Sequence, residues 1–260
     1  MKRAGKTPLK VFITGASSGL GLALAEQYVR AGATLGLVAR RGEALAEFAA
    51  RHPDAAISIH PADVRDAGAL AAAAQQFMAA HGCPDVVIAN AGISQGAITG
   101  SGDLETFRDV VDINYLGMVA TFEPFIAPMT AARSGTLAGI ASVAGVRGLP
   151  GSGAYSASKA AAIKYLEALR VELRGARVSV VTIAPGYIRT PMTEHNPYSM
   201  PFLMEADQFA EQAVRAIARG DAFRVIPWQM GWIARLLHVM PRGLYDRLFE
   251  KAPRKPRAQG

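Results

Sequence analysis

The sequence predicts an α/β fold, a single domain in which helices cover both faces of a doubly wound parallel sheet. Short apolar runs alternate with longer helical patterns along the chain, as they do in consecutive βαβ units. A Gly-rich turn follows the first apolar run, and polar or Gly residues follow the others. Because ligands of such sheets bind outside the carboxyl ends of the strands, these residues mark a candidate site.

Apolar periodicity sets the expected order of the elements. Strands are predicted at 10–14, 33–39, 56–60, 85–89, 135–142, 177–184 and 223–226. Helices are predicted at 20–29, 43–51, 66–81, 103–130, 152–173, 205–219 and 228–240. The fourth helical region is expected in one or two pieces, and Pro124 and Pro128 are expected to break its far end, because proline lacks an N–H and clashes with the preceding turn. Residues 1–226 are predicted to form the domain, and 227–260 a helical extension with a basic tail.

The first βα turn has the composition of a phosphate site. After Thr14 the chain reads Gly15, Ala16, Ser17, Ser18, Gly19, Leu20 and Gly21. The spacing is G-x-x-x-G-x-G rather than the G-x-G-x-x-G of the common dinucleotide fingerprint. Free N–H groups and the dipole of a helix N-terminus favour anions, and glycine lets a diphosphate approach the backbone. The turn therefore predicts a Rossmann-type dinucleotide site.

Two arginines follow the second predicted strand. In NAD sites an acidic residue near this position binds the ribose hydroxyls, but no Asp or Glu lies between Thr34 and Arg41. Arg40 and Arg41 stand there instead, and guanidinium groups suit a 2′-phosphate. NADP(H) is therefore predicted in preference to NAD(H). The alternative is that both arginines are ordinary surface charges at the start of a helix.

Tyr155 and Lys159 lie four residues apart in the helical region 152–173 and so share one face. A free phenol has a pKa of about 10, and a neighbouring ammonium is expected to lower it. The pair is therefore a candidate general acid or base. Since the same spacing is common on exposed helix faces, this interpretation depends on the other motifs.

Composition and charge restrict the remaining functions. Cys83 is the only cysteine, so an internal disulfide and a cysteine-based metal cluster are excluded, and no metal is predicted. The basic first ten residues show no secretory pattern, and no uninterrupted apolar stretch is long enough to span a bilayer, so a cytoplasmic location is expected. The formal net charge of +7 suits a phosphate-rich cofactor. No nucleic-acid module is recognisable, so no nucleic-acid partner is predicted.

Two apolar segments lie near the end of the chain. The stretch 187–205 is expected to be an irregular substrate loop. Its Met192, Tyr198, Met200, Phe202, Leu203 and Met204 would line a hydrophobic pocket or pack under the loop. Residues 228–240 predict an amphipathic element that packs on its own domain or a sister subunit. Peripheral membrane contact through 228–257 is the alternative.

Further motifs follow the predicted strand ends. They are Asp63-Val64, Asn90-Ala91-Gly92, Ser142 and Pro185-Gly186, while a further motif residue, Asn114, lies within the fourth helical region. Together with the Gly-rich turn and Tyr155-x-x-x-Lys159, this set resembles the short-chain dehydrogenase/reductase family in order and spacing, from about residue 8 to residue 226. The chain departs from the family pattern at Ala89, where many members carry an asparagine.

The resemblance implies a role for each motif. Tyr155 would exchange a proton with the substrate oxygen, Ser142 would hydrogen-bond that oxygen, and Lys159 would lower the Tyr155 pKa and hold the nicotinamide ribose. Asn114 would anchor a water that links Lys159 to solvent. Asp63 and Val64 would contact adenine, Asn90, Ala91 and Gly92 would support the cofactor, and Pro185, Gly186, Ile188 and Thr190 would lie along the nicotinamide. Without the resemblance, Ser142 is a turn-capping hydroxyl and Asn114 a helix residue satisfied by the backbone.

The expected function is NADPH-dependent interconversion of a carbonyl and a secondary alcohol on a hydrophobic substrate. A 3-oxoacyl-thioester reductase is the alternative among enzymes, and a dinucleotide sensor or scaffold is the alternative without catalysis. The intact Ser142, Tyr155 and Lys159 argue against a sensor, which needs no acid–base pair. The resemblance also implies a homodimer or homotetramer.

Overall fold

The computed structural model describes residues 8–194, 196 and 198–257 of the chain. Residues 1–7 and 258–260, and His195 and Pro197 of the predicted substrate loop, lie outside the described residues. The strands are β1 (Lys10–Thr14), β2 (Thr34–Ala39), β3 (Ile57–Pro61), β4 (Val86–Ala89), β5 (Thr136–Ile140), β6 (Ser179–Pro185), β7 (Ile188–Arg189), β8 (Met204–Glu205) and β9 (Phe223–Ile226). The helices are α1 (Gly19–Arg30), α2 (Gly42–Arg51), α3 (Ala67–His81), α4 (Leu104–Val111), α5 (Gly117–Ala132), α6 (Gly153–Glu172), α7 (Ala206–Arg219), α8 (Trp228–Val239) and α9 (Arg242–Phe249).

The predicted doubly wound parallel sheet is confirmed. Within the described ranges, seven strands form one sheet in the order β3-β2-β1-β4-β5-β6-β9, and each neighbouring pair is parallel. The chain moves outward from β1 to β3, returns to β4 beside β1, and then moves outward in the other direction. The crevice between the carboxyl ends of β1 and β4 is therefore the topological switch point, where ligands bind in sheets of this kind.

Apolar side chains fill a core on each face of the sheet. Successive residues of a strand point to opposite faces, so Val11 and Ile13 join one core while Phe12 joins the other. The first core packs beneath α1, α2 and α7, and the second beneath α3, α5 and α6. Because helices cover both faces, water is excluded from the sheet. Only the edge formed by the carboxyl ends of the strands remains open.

The fourth helical region differs from its prediction. A π-helical turn, Asp112–Leu116, joins α4 to α5, and α5 continues through Pro124 and Pro128 to its end at Ala132. The expected break at the prolines is therefore wrong. Each proline removes one helical hydrogen bond, but burial of the neighbouring Phe122 and Phe125 in the second core holds the helix together.

The run Leu104–Ala132 bears on the expectation about membrane-spanning length. Of the described residues, only this run is a helix long and apolar enough to cross a membrane, with a mean hydropathy of 1.2 over its best window. Phe122, Phe125 and Met129 on this run have no exposed surface. Its apolar composition therefore matches a helix that packs against the sheet in the second core.

The C-terminal region folds back across the carboxyl edge of the sheet. It contains α8, the unpredicted helix α9, and a segment of residues 250–257 that we call the strap. The strap lies beside the loop after β4, where the Gly96 N–H donates to the Pro256 carbonyl at 3.1 Å. The separation of 1–226 from 227–260 as an extension stays a prediction.

Candidate active site

The Gly-rich turn after β1 has the backbone geometry that a close ligand requires. Gly15 and Gly19 have φ values of +69° and +55°, in the left-handed region that favours glycine. A Cβ on Gly21 would lie 2.2 Å from the Gly15 carbonyl oxygen. Ser18 precedes α1 without a side-chain cap, so the first N–H groups of the helix remain available to an anion.

Asn90 holds this turn against the end of β4. Its amide Nδ2 donates to the Thr14 carbonyl at 3.0 Å and the Gly15 carbonyl at 3.2 Å. The Asn90 N–H in turn donates to the Thr14 hydroxyl at 3.3 Å. These bonds cross the switch point and fix the shape of the crevice.

A cavity of about 520 Å³ occupies this crevice. The predicted residues that line it are Gly15, Ser17, Ser18, Gly19, Leu20, Arg40, Arg41, Asp63, Val64, Asn90, Ala91, Gly92, Ser142, Tyr155, Lys159, Pro185, Gly186, Ile188 and Thr190. Gly21 and Asn114 do not line it, since they lie behind the turn and behind the loop after β4. Met192 of the predicted substrate loop also lines it, as do residues that the sequence did not nominate: Ala39, Ala62, Ile93, Ile113, Ile140, Ala141, Pro191 and Thr193.

Charged side chains surround the β2 end of this cavity. Arg41 Nη2 donates to the Ser17 carbonyl at 3.3 Å and to the Ser17 hydroxyl at 3.2 Å, so the Arg41 side chain packs against the Gly-rich turn. Arg40 is exposed, and its Nη1 lies 4.0 Å from Asp63 Oδ2. Arg65, which the sequence did not nominate, pairs with Asp63 at 2.7 Å and lowers the pKa of that carboxyl. Arg40 therefore has only a long contact with this carboxylate and borders the cavity.

Ser142, Tyr155 and Lys159 meet at the other end of the cavity. Lys159 is buried, and its ammonium donates to the Ile140 carbonyl at 2.8 Å. Ser142 Oγ accepts from the Ala144 N–H at 3.1 Å, so this hydroxyl does cap a turn. It also lies close enough to the Tyr155 hydroxyl to affect the pKa of that group. The structure thus brings a phenol, a hydroxyl and an amine together at the end of the predicted cofactor cleft.

The pKa of Tyr155 departs from the expected direction. Burial raises it, and the neighbouring Ser142 hydroxyl opposes that shift only in part, although part of the ring remains open to solvent. The Lys159 ammonium donates to the Ile140 carbonyl and lies 6.0 Å from the phenol ring centre. The net shift of the Tyr155 pKa is therefore upward through burial, and its lowering by Lys159 stays a prediction.

Burial lowers the pKa of Lys159 from 10.5 to about 8. Between these values the unfolded chain binds a proton that the folded chain releases, so Lys159 makes the free energy of unfolding rise with pH from about 8 to about 10.5. We expect urea denaturation to show a smaller gain between pH 7.5 and 9.5 for Lys159→Met than for the unaltered chain. An equal gain in both proteins would contradict the lowered pKa.

Asn114 lies in the π-helical turn and braces the site from behind. Its Oδ1 accepts from the Ile93 N–H at 2.8 Å, and its Nδ2 donates to the Ile93 carbonyl and to Ser158 Oγ. Ser158 Oγ then donates to the Tyr155 carbonyl at 2.8 Å. Both Nδ2 hydrogens are thus engaged within the protein, so the side chain joins the loop after β4 to α6. The water-anchoring role stays a prediction.

A second cavity of about 430 Å³ adjoins the first and shares Ser142, Tyr155, Gly186, Met192 and Thr193 with it. Most of its walls are apolar. They come from the substrate loop, from Met230, Ile233, Ala234 and Leu237 of α8, from Phe249 of α9, and from Ala252 and Pro253 of the strap. Met192 and Tyr198 of the predicted loop line this cavity, whereas Met204 packs against the first core. Both interpretations of the apolar loop residues therefore apply, each to different residues.

Comparisons with known proteins agree with this geometry. The family model described as short chain dehydrogenase matches residues 9–199. An uncharacterized oxidoreductase of Myxococcus xanthus is 38% identical over 238 residues, 90% of this chain and 93% of its own. A 3-oxoacyl-(acyl-carrier-protein) reductase of Chlamydia muridarum is 33% identical over 70% of this chain and 75% of its own. The structure of an alcohol dehydrogenase from the archaeon Thermococcus sibiricus, complexed with 5-hydroxy-NADP, has a TM-score of 0.76 at 26% identity, covering 85% of this chain and 96% of its own.

Proposed function

Since the chain belongs to the short-chain dehydrogenase family, we propose that it is an NADPH-dependent oxidoreductase that interconverts a carbonyl and a secondary alcohol on a hydrophobic substrate. One observation carries the proposal. Tyr155 and Ser142 border both cavities, so the proposed proton donor and a neighbouring hydroxyl lie between a cleft with a phosphate-type turn and an apolar pocket. A reaction between a dinucleotide and an apolar substrate requires this placement.

The proposed chemistry assigns each side chain a task. Bound in the cleft, NADPH would supply the hydride for the carbonyl carbon. Tyr155 would donate the proton that the carbonyl oxygen needs, and Ser142 would hydrogen-bond that oxygen as negative charge develops. Lys159, with a pKa of about 8, is close enough to neutral pH to restore the proton. In the oxidative direction the same groups would accept the proton.

A turnover screen tests this function. NADPH oxidation is followed at 340 nm with aliphatic and aromatic ketones, aldehydes, quinones and 3-oxoacyl thioesters. We expect turnover of at least one apolar carbonyl compound. NADPH binding without turnover of any class would instead support the sensor or scaffold.

A 3-oxoacyl-thioester reductase is the second candidate. The similarity to the Chlamydia muridarum reductase and the net positive charge favour it, because acyl carriers are acidic partners. In the same screen, a preference for 3-oxoacyl thioesters over simple ketones of equal chain length would select this candidate.

Arg40 and Arg41 are proposed to select NADPH through its 2′-phosphate. We expect the double variant Arg40→Ala/Arg41→Ala to bind NADPH about 10- to 100-fold more weakly, because charge-assisted hydrogen bonds to phosphate are lost. NADH binding should change by less than about threefold. Fluorescence titration of both cofactors measures this. Arg170→Ala/Arg174→Ala removes two exposed arginines outside the cleft and serves as the control. Equal losses for NADPH and NADH would contradict the selection.

The partners and location of the chain also remain proposals. We propose a homodimer or homotetramer, as the family resemblance implies, and light scattering of the purified chain measures its oligomeric state.

The exposed Trp228 and Trp232 on α8 would serve a subunit contact or the alternative membrane contact. Flotation with anionic vesicles separates the two, since only membrane contact makes the chain float. The cytoplasmic location is likewise a proposal.

A further inference from the structure

The second cavity carries positive charge without a matching acid. Among its described lining residues are two cations, Arg147 and Lys255, and no Asp or Glu. The rest of the lining is mostly apolar and includes Ile233, Leu237 and Phe249. An apolar pocket with a net positive charge is poorly matched to a neutral hydrocarbon substrate, because the cations lose solvation without gaining a counter-charge.

The strap holds Lys255 at a defined position in this cavity. The two residues that follow Lys255 are both anchored. The Pro256 carbonyl accepts a hydrogen bond from the Gly96 N–H at 3.1 Å, and the Arg257 guanidinium donates two hydrogen bonds to the Asp103 carboxylate, at 2.7 and 2.8 Å. Because the backbone after Lys255 is fixed, the lysine side chain can reach only a limited region. The strap therefore holds the Lys255 ammonium at the wall of the second cavity.

Neither cation is neutralised within the described part of the chain. The Lys255 ammonium donates to Ser94 Oγ at 2.8 Å, and burial lowers its pKa. Arg147 stacks 4.4 Å from the centre of the Tyr245 ring and donates weakly to the His238 carbonyl at 3.4 Å. Neither forms an ion pair within 4.0 Å with a described carboxylate, whereas Arg257 on the same strap does. An anion that enters the cavity would therefore meet two uncompensated charges.

We propose that the substrate is an anionic amphiphile, a carbonyl compound with an apolar chain and a carboxylate or phosphate group, and that Lys255 pairs with this group. The inference rests on the proposed function, because Tyr155 and Ser142 border the same cavity and would act on the carbonyl. The apolar walls would hold the chain, and the ammonium would hold the charged group. Lys255 is thus a specificity-determining residue supplied by the end of the chain.

The test compares each acid with its uncharged ester. Oxododecanoates with the keto group at successive positions are assayed with NADPH, each against its methyl ester. We expect the unaltered chain to prefer the acid at one or more positions. Lys255→Met should lower the acid-to-ester ratio of kcat/KM by about 10- to 100-fold, since a hydrogen bond to a charged group is lost. Lys255→Arg should retain most of the preference.

Lys251→Met provides the matched control. Lys251 is exposed on the same strap and does not line the cavity, so its removal changes the net charge equally and should leave the ratio unchanged. A preference for the ester in the unaltered chain would overturn the proposal. So would equal ratios in Lys255→Met and the unaltered chain, or the same loss of ratio in Lys251→Met.

A binding experiment separates this proposal from the proposed function. Dodecanoate, dodecyl phosphate and dodecanol are titrated calorimetrically against the NADPH-loaded chain, with no turnover required. We expect both anions to bind more tightly than the alcohol, with that advantage reduced by Lys255→Met. The tighter of the two anions identifies the charged group. Equal affinity for all three probes would overturn the proposal, whereas anion preference without turnover of any ketone would overturn only the proposed function.

Discussion

Tyr155→Phe is expected to abolish carbonyl reduction while NADPH still binds. The variant removes one hydroxyl, the only proton donor of the proposed reaction that borders both cavities. Loss of a positioned general acid lowers the rate by about 10²- to 10⁴-fold. The ring remains, so the shape of the cleft is kept. Turnover followed at 340 nm measures the loss, and fluorescence titration measures the retained NADPH affinity.

Tyr115→Phe is the control for this prediction. Tyr115 is partly buried beside Tyr165 and lines neither cavity, so removing its hydroxyl should leave turnover near that of the unaltered chain. Retention of more than a few per cent of activity in Tyr155→Phe would refute the role of Tyr155. Loss of NADPH binding along with turnover would indicate a damaged cleft rather than a missing proton donor.

Gly21→Ala is expected to destabilise the fold and weaken NADPH binding together. The new Cβ would lie 2.2 Å from the Gly15 carbonyl oxygen and 2.5 Å from Asn90 Nδ2. Since the first of these atoms is backbone, the turn after β1 must move. Overpacking of this kind costs about 3 kcal/mol, which urea denaturation measures. A displaced turn would also misplace the N–H groups of α1, so we expect at least about tenfold weaker NADPH binding.

Gly175→Ala is the matched control. Gly175 is exposed, and a Cβ there would meet nothing within 4 Å, so the free energy of unfolding should change by less than about 0.5 kcal/mol. NADPH affinity should be unaltered. A stable Gly21→Ala protein with full NADPH affinity would show that the close approach of α1 to the turn is not required.

Local patterns predicted most of the architecture. The strand and helix order follows from periodicity, which a short window of sequence contains. The departures have tertiary causes. Pro124 and Pro128 stay inside α5 because the burial of Phe122 and Phe125 in the second core compensates for the lost hydrogen bonds. Helix α9 was missed although Leu244, Tyr245, Leu248 and Phe249 recur at helical spacing, because it is only eight residues long and borders the basic tail.

Motifs also located most of the residues around the first cavity, but they did not predict how those residues are paired. Arg65 forms the short ion pair with the Asp63 carboxylate, so Arg40 keeps only a longer contact with that carboxylate and borders the cleft. Lys159 donates to the Ile140 carbonyl, and burial of Tyr155 decides the sign of its pKa shift. Spacing along a helix places two side chains on one face; it does not state which acceptor each one reaches.

The amino-acid sequence alone determined the parallel sheet, the Gly-rich turn at its switch point and the shared face of Tyr155 and Lys159. These features depend on backbone propensity and on residues close together in the chain. Only the tertiary structure decided that α8 and the strap wall the second cavity and that Lys255 reaches Ser94. Contacts between residues so distant in the chain arise from the packing of the whole fold, and no local pattern contains them.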